Sequence, residues 1–180
     1  ISFGPPVPET VSYLLSQVRA GARNAGREND RFPCVWMTGV CVLHPGETLE
    51  SPRVVNNIGW WVLAVLKILA LVTALDLEKV PPGLRPVFKA YADHLAAIPK
   101  DELHLAVSEG LYTLTLPEGE RRFVTPEAIR AMTLIGTRDE VIAQIKALEQ
   151  AGVTQIAVAT PFDGFRETAS EISHELIGSV

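Results

Sequence analysis

The chain has 180 residues, 47% of them hydrophobic and 21% charged, which suffices for one buried core and argues against disordered and fibrous classes. A formal net charge of −5 with no basic stripe argues against a nucleic-acid partner. No basic segment followed by an apolar stretch and a small-residue cleavage site is present, so no secretory signal is read; two cysteines ill placed for a disulfide make a reducing cytoplasm the expected location, and a start at Ile1 instead of Met suggests a truncated or incomplete chain.

In chain order, Ile1-Ser2-Phe3-Gly4 reads as the end of a strand, followed by a stiff turn at Pro5, Pro6 and Pro8. Residues 9–25 carry Val11, Leu14, Leu15, Val18 and Ala22 at helical spacing, with Gly26 placed as the C-terminal cap. Residues 32–43 (FPCVWMTGVCVL) alternate little, the pattern of a strand covered on both faces, and such strands usually belong to parallel sheets. Cys34 and Cys41 stand seven positions apart along it, an odd offset, so they face opposite sides and a disulfide between them is geometrically poor.

Residues 58–75 (IGWWVLAVLKILALVTAL) are apolar apart from Lys67 and Thr73. A membrane span needs about 20 residues and a central Lys costs roughly 2.5–3.5 kcal/mol, so the preferred reading is a helix covered on all sides, with Lys67 snorkelling to the surface. Pro81, Pro82 and Gly83 stop it. Residues 77–122 read as an insertion with a helix around 87–97 and a break at Pro99. Thr137-Arg138-Asp139-Glu140 is a capping box, and it opens a helix with Val141, Ile142, Ile145 and Leu148 inward, ended by Gly152. A short buried strand at 155–160 follows, and residues 165–177 form a closing helix, with Asp163 as its cap. Alternating strands and helices predict an α/β fold with parallel strands in one domain spanning 1–180.

At 123–161 (FVTPEAIRAMTLIGTRDEVIAQIKALEQAGVTQIAVATP) the chain resembles the end of the luciferase-like monooxygenase family, in the order Gly-Thr capping turn, amphipathic helix, Ala-Gly and final barrel strand. Leu116-Pro117-Glu118 with Glu120-Arg121 resembles the segment before that helix in members described as methylene-tetrahydromethanopterin-reductase-like, and residues 1–43 resemble, more loosely, an earlier strand–helix–strand unit. The resemblance implies the C-terminal portion of a (β/α)8 TIM barrel, about three parallel strands with flanking helices and the 77–122 insertion between the last two. It further implies an oxidoreductase or monooxygenase using FMN or the deazaflavin coenzyme F-420 on a small organic substrate, with a homodimer possible. The early strands that supply most ring contacts in the family have no counterpart in the sequence, so no catalytic residue is carried over.

The rim residues implied are Ser2, Phe3 and Gly4 for the cofactor, and His44, Glu109, Tyr112 and Thr160 for the substrate, with Glu47 beside His44 and the run from Thr160 to Asp163 as further positional candidates. Each has a blander reading: Phe3 as packing, His44 as a structural histidine, Glu109 to Tyr112 as a solvated turn. His94 and His104 lack partners for a metal site, and no HExxH, CxxC, GxGxxG, Walker or GxSxG pattern occurs. Two further readings stay open: a non-catalytic flavin-binding or scaffold relative with a shortened barrel, and a membrane-anchored protein built around 58–75.

Overall fold

The computed structural model describes residues 2–28, 32–111, 114–161 and 163–178, and of Phe3 only the backbone. Among them four strands form one parallel sheet: β1 (Ser2–Phe3), β2 (Val35–Val42), β3 (Thr133–Gly136) and β4 (Gln155–Ala159). β2 is central. Its Trp36 and Met37 pair with Ser2 and Phe3, its Gly39 to Val42 with Thr133 to Gly136, and its Val35 to Gly39 with Gln155 to Ala159. Because Trp36 and Met37 serve both β1 and β4, and Gly39 both β3 and β4, β1 and β3 lie in succession along one edge of β2 and β4 lies along the other.

Alternation along β2 divides the core in two, since successive side chains point to opposite faces. Trp36, Val40 and Val42 join Leu134, Ile156 and Val158 against Val11 of α1 (Pro8–Asn24), Val141 and Leu148 of α6 (Arg138–Gln150) and Leu176 just beyond α7 (Phe165–Glu175). Met37 and Cys41, with Ile135 and Ala159, face α2 (Pro52–Thr73). Both cysteines are free and buried, Cys34 in the first cluster and Cys41 in the second, as the odd spacing requires.

α1 starts at Pro8, where a missing N–H costs nothing, carries Glu9 in its first turn and Arg23 in its last, and passes into Gly26 at φ +68°. α2 begins six residues before the predicted apolar run, because Pro52 is a good first helical residue and Val54 and Val55 already face the core. With 22 residues and a mean hydropathy of 1.8 it is long and apolar enough to cross a bilayer, yet 72% of that apolar window is buried within the protein. Gly39 lets it approach: a methyl group there would sit 3.2 Å from Trp61 Cδ1, and the Trp61 indole N–H donates to the Met132 carbonyl at 3.1 Å.

Residues 77–122 pack against α2 through α3 (Arg85–Ala96), α4 (Leu103–Ser108) and a 3-10 helix at Glu118–Phe123, burying Phe88, Tyr91, Leu95 and Val107. Lys67 does not snorkel. It is 1% exposed, and its ammonium pairs with Glu120 at 2.7 Å and donates to the carbonyls of Ala106 (2.9 Å) and Glu109. Two elements go beyond the sequence reading: α5 (Pro126–Met132), capped by the Thr125 hydroxyl, and β3, which follows it directly. At α7 the capping position is Gly164, and no side chain caps the helix, so Asp163 does not have the predicted role.

Candidate functional site

A group of polar side chains gathers where β2 ends. His44-Pro45-Gly46-Glu47 closes a turn with Pro at the second position and Gly46 at φ +84° at the third, the requirement of a type II turn, and the Glu47 N–H donates to the His44 carbonyl at 3.0 Å. The turn folds the Glu47 carboxylate back onto the His44 N–H at 2.8 Å. Arg53, in the first turn of α2, meets that carboxylate with Nε at 2.7 Å and Nη2 at 2.6 Å, a two-pronged contact. Its Nη2 also reaches the Val42 carbonyl at 2.7 Å, and its Nη1 reaches Glu171 of α7 at 3.2 Å. Glu171 in turn lies 2.9 Å from His44 Nε2.

Arg53 therefore joins three segments: the last carbonyl of β2, the turn after it, and α7. A cation in the first turn of a helix is disfavoured by the helix dipole, and two carboxylates offset that here. The Arg53 hydrogen bonds hold the Glu47 carboxyl down to about 2 against burial. One turn further along α2, Asn57 Oδ1 accepts from the Thr168 hydroxyl at 3.0 Å, a second tie between α2 and α7. Cys41 lies beneath, its thiol pushed up to about 11 because burial outweighs the pull of Arg53.

Beside this cluster a cavity of about 630 Å³ opens between the turn, β3 and the start of α6. Leu43, Leu49 and Ile135 give it apolar walls, and Glu47, Arg130 and Glu140 give it charge. Its volume is in the range of small-molecule sites. A phosphate-bearing cofactor tail is a poor match, because Glu47 and Glu140 outnumber Arg130, and Glu140 already occupies the start of α6 by accepting from the Thr137 N–H (2.7 Å) and hydroxyl (2.9 Å). The described residues here do not provide for the phosphate of FMN or of a deazaflavin coenzyme.

No family model, curated protein or solved structure matches the chain. The site therefore rests on its geometry alone. Of the residues predicted for it, His44 is at its centre. Thr160 follows β4, and Gly164, whose N–H donates to the Pro161 carbonyl, lies against Asn57. Ser2 and Phe3 pair with Trp36 and Met37, and from residue 37 to residue 42 a strand rises about 16 Å, while Pro6 and Val7, just after Gly4, line the cavity. Glu109 is exposed at the end of α4, and its carbonyl binds Lys67; from residue 53 to residue 67 the α2 axis runs about 21 Å, so Glu109 and His44 belong to different regions. Tyr112 lies outside the described residues.

Glu47 is a rim candidate of the sequence reading, whereas Arg53 and Glu171 go beyond it. The Pro-Gly turn after His44 is a local signal for Glu47, but Glu171 is far from His44 in sequence and only the fold brings it near. Among the described residues no group of three His, Cys, Asp or Glu side chains is arranged to hold a metal. His94 instead lies 3.2 Å from an Arg122 nitrogen and packs on Phe123.

Proposed function

We propose that the chain is part of a luciferase-like oxidoreductase, forming the later units of its barrel and the substrate side of its mouth, with FMN or a deazaflavin coenzyme held by residues outside this chain. The observation that carries the reading is the placement of the His44, Glu47, Arg53 and Glu171 cluster at the carboxyl end of a parallel strand, beside a cavity of suitable size. In parallel α/β proteins ligands bind at that end of the sheet. A hydride-transfer or oxygenation reaction on a small organic molecule draws its reactivity from the cofactor, and the protein positions and shields the reactants. This chain's part is to bind and orient the substrate, and on its own it is expected to show no turnover.

The test is to express the whole reading frame that contains this chain and examine the purified protein by absorbance and mass spectrometry. A flavin or deazaflavin that co-purifies, together with further strand–helix units in the frame, supports the reading. A frame with neither overturns it.

One observation favours a second reading. α2 covers the sheet face that carries Met37, Gly39 and Cys41, with Trp61 against Gly39, so both faces of the sheet are already packed by helices. A shortened, non-catalytic flavin-binding or scaffold relative would be self-contained in this way. Light scattering separates the two, since a self-contained relative gives one defined species and a barrel fragment associates irregularly.

A further inference from the structure

We propose that the cavity between the turn, β3 and the start of α6 binds a free α-amino acid with an aliphatic side chain, its ammonium on Glu140 and its carboxylate on Arg130. The proposal deepens the reading above by naming the substrate class, and rests on it only in treating the bound molecule as a substrate. It follows from which polar groups of the lining are already paired. Both Glu47 oxygens are taken, Oε1 by Arg53 and Oε2 by Arg53 and the His44 N–H. The Gln144 amide is occupied at both ends by Ile135, and the Thr133 hydroxyl donates to the Ile129 carbonyl at 2.7 Å. Two charged groups are left. Glu140 receives both Thr137 contacts on Oε2, so its Oε1 has no hydrogen-bond partner among the described residues. Arg130, in the last turn of α5, makes neither a hydrogen bond nor an ion pair among them.

The carboxylate is held in place. Thr137 binds it from the start of α6, and a methyl group on Gly136 would lie 2.6 Å from its Oε2, so it sits against the end of β3. The Thr137 N–H and hydroxyl also keep the Glu140 carboxyl below its ordinary value, and it is ionised at neutral pH. Arg130 pulls it the same way, yet the two do not pair directly. Opposite charges that share a cavity without meeting leave room for a molecule that answers both. An ammonium donates to Glu140 Oε1 and a carboxylate accepts from the Arg130 guanidinium, each a charge-assisted hydrogen bond. A phosphate brings negative charge alone to a lining with two carboxylates, whereas a zwitterion brings its own cation. Leu43, Leu49 and Ile135 supply the apolar wall for an aliphatic side chain, and the cavity of about 630 Å³ admits a molecule of that size.

The experiment titrates the chain with L-leucine and follows the methyl NMR signals of Leu49 and Ile135. Isopentylamine, which lacks the carboxylate, and isocaproate, which lacks the ammonium, are the comparison probes. The expected result is a saturable shift of both methyl signals with leucine, and binding about tenfold weaker for each analogue, the effect of one charge-assisted contact. Arg130→Gln should bring leucine down to the level of isopentylamine. Glu140→Gln, in which the glutamine still serves the capping box, should bring it down to the level of isocaproate. Leucine that leaves both methyl signals unmoved, analogues that bind as well as leucine, or variants that keep the full preference overturn the proposal. Failure of the oxidoreductase reading shows separately, as a full-length protein without flavin or deazaflavin, and leaves the leucine titration unaffected.

Discussion

Gln144 closes the outer edge of β3 at Ile135: its side-chain oxygen accepts the Ile135 N–H at 3.2 Å and its amide nitrogen donates to the Ile135 carbonyl at 2.9 Å. The amide takes the place that a neighbouring strand would take, on an edge that otherwise invites pairing with another chain. Gln144→Leu should therefore destabilise the protein by about 1–3 kcal/mol, because both backbone groups lose their partner. It should also raise the fraction of associated species. Urea unfolding and light scattering measure the two effects, and a variant as stable and as dispersed as the parent would show that water satisfies that edge equally well.

The Lys67–Glu120 pair gives a prediction of a different kind. Lys67 is 1% and Glu120 7% exposed, and the Tyr91 hydroxyl donates to Glu120 at 3.0 Å, so removing the lysine leaves a buried carboxylate without its cation. Lys67→Met should cost about 3–5 kcal/mol, while Lys67→Met combined with Glu120→Leu should cost clearly less than the sum of the two single changes. Chemical unfolding of the three variants makes the comparison, and additive costs would mean that the two charges are not coupled.

Much of the framework was legible because it is written in local pattern. The Pro and Gly positions around 8–26, the apolar stretch ending at Val42, the Thr137–Glu140 box and the Gly152 stop each specify an element within a few residues, and those elements are present as parallel strands and helices. β3 was not legible, since four residues following a helix without a turn carry no period of their own. Lys67 was misread for a related reason: a lysine in an apolar run says only that it needs solvent or a partner, and the partner, Glu120, lies in a segment with no regular pattern. His44 was picked out by its place after a strand, whereas its link to Glu171 depends on how α7 crosses the end of β2.

Gly136 ends β3 at φ +151°, and a methyl group there would lie 2.6 Å from Glu140 Oε2 and 2.9 Å from Glu140 Cβ. Gly136→Ala should disturb the capping box as well as strain the backbone, at a cost of about 1–3 kcal/mol. Thermal unfolding gives the cost, and NMR of the Thr137 amide reports whether its bond to Glu140 persists. An unchanged Thr137 signal in a fully stable variant would contradict the crowding argument.

Cys41 should be a slow thiol in the folded protein. Burial pushes it up to about 11, so near pH 8 roughly one molecule in a thousand carries the thiolate that reacts. Iodoacetamide should label Cys41 only as the protein opens, with a rate that rises steeply when urea is added, and mass spectrometry of the Cys41 peptide follows it. Fast labelling without denaturant would mean that the end of β2 is far more open than the structure shows.

Acid should weaken the protein through Glu47. Its carboxyl is lowered from 4.5 to about 2, chiefly by the Arg53 hydrogen bonds. Between those two values the folded form binds fewer protons than the unfolded chain, so this contribution is fully present above about pH 4.5 and is lost as pH falls toward 2. Arg53→Met removes the cause: Glu47 then titrates close to its ordinary range in both states, and the variant's unfolding free energy should fall less steeply over that interval. At neutral pH the variant should be less stable by about 2 kcal/mol, since hydrogen bonds to a charged group are lost along with the tie to Glu171. Glu47→Gln should flatten the same part of the profile without touching the Arg53–Glu171 contact. Identical acid slopes in the parent and in both variants would mean that Glu47 is as readily protonated in the folded protein as in the unfolded chain, and that Arg53 is not what organises this rim.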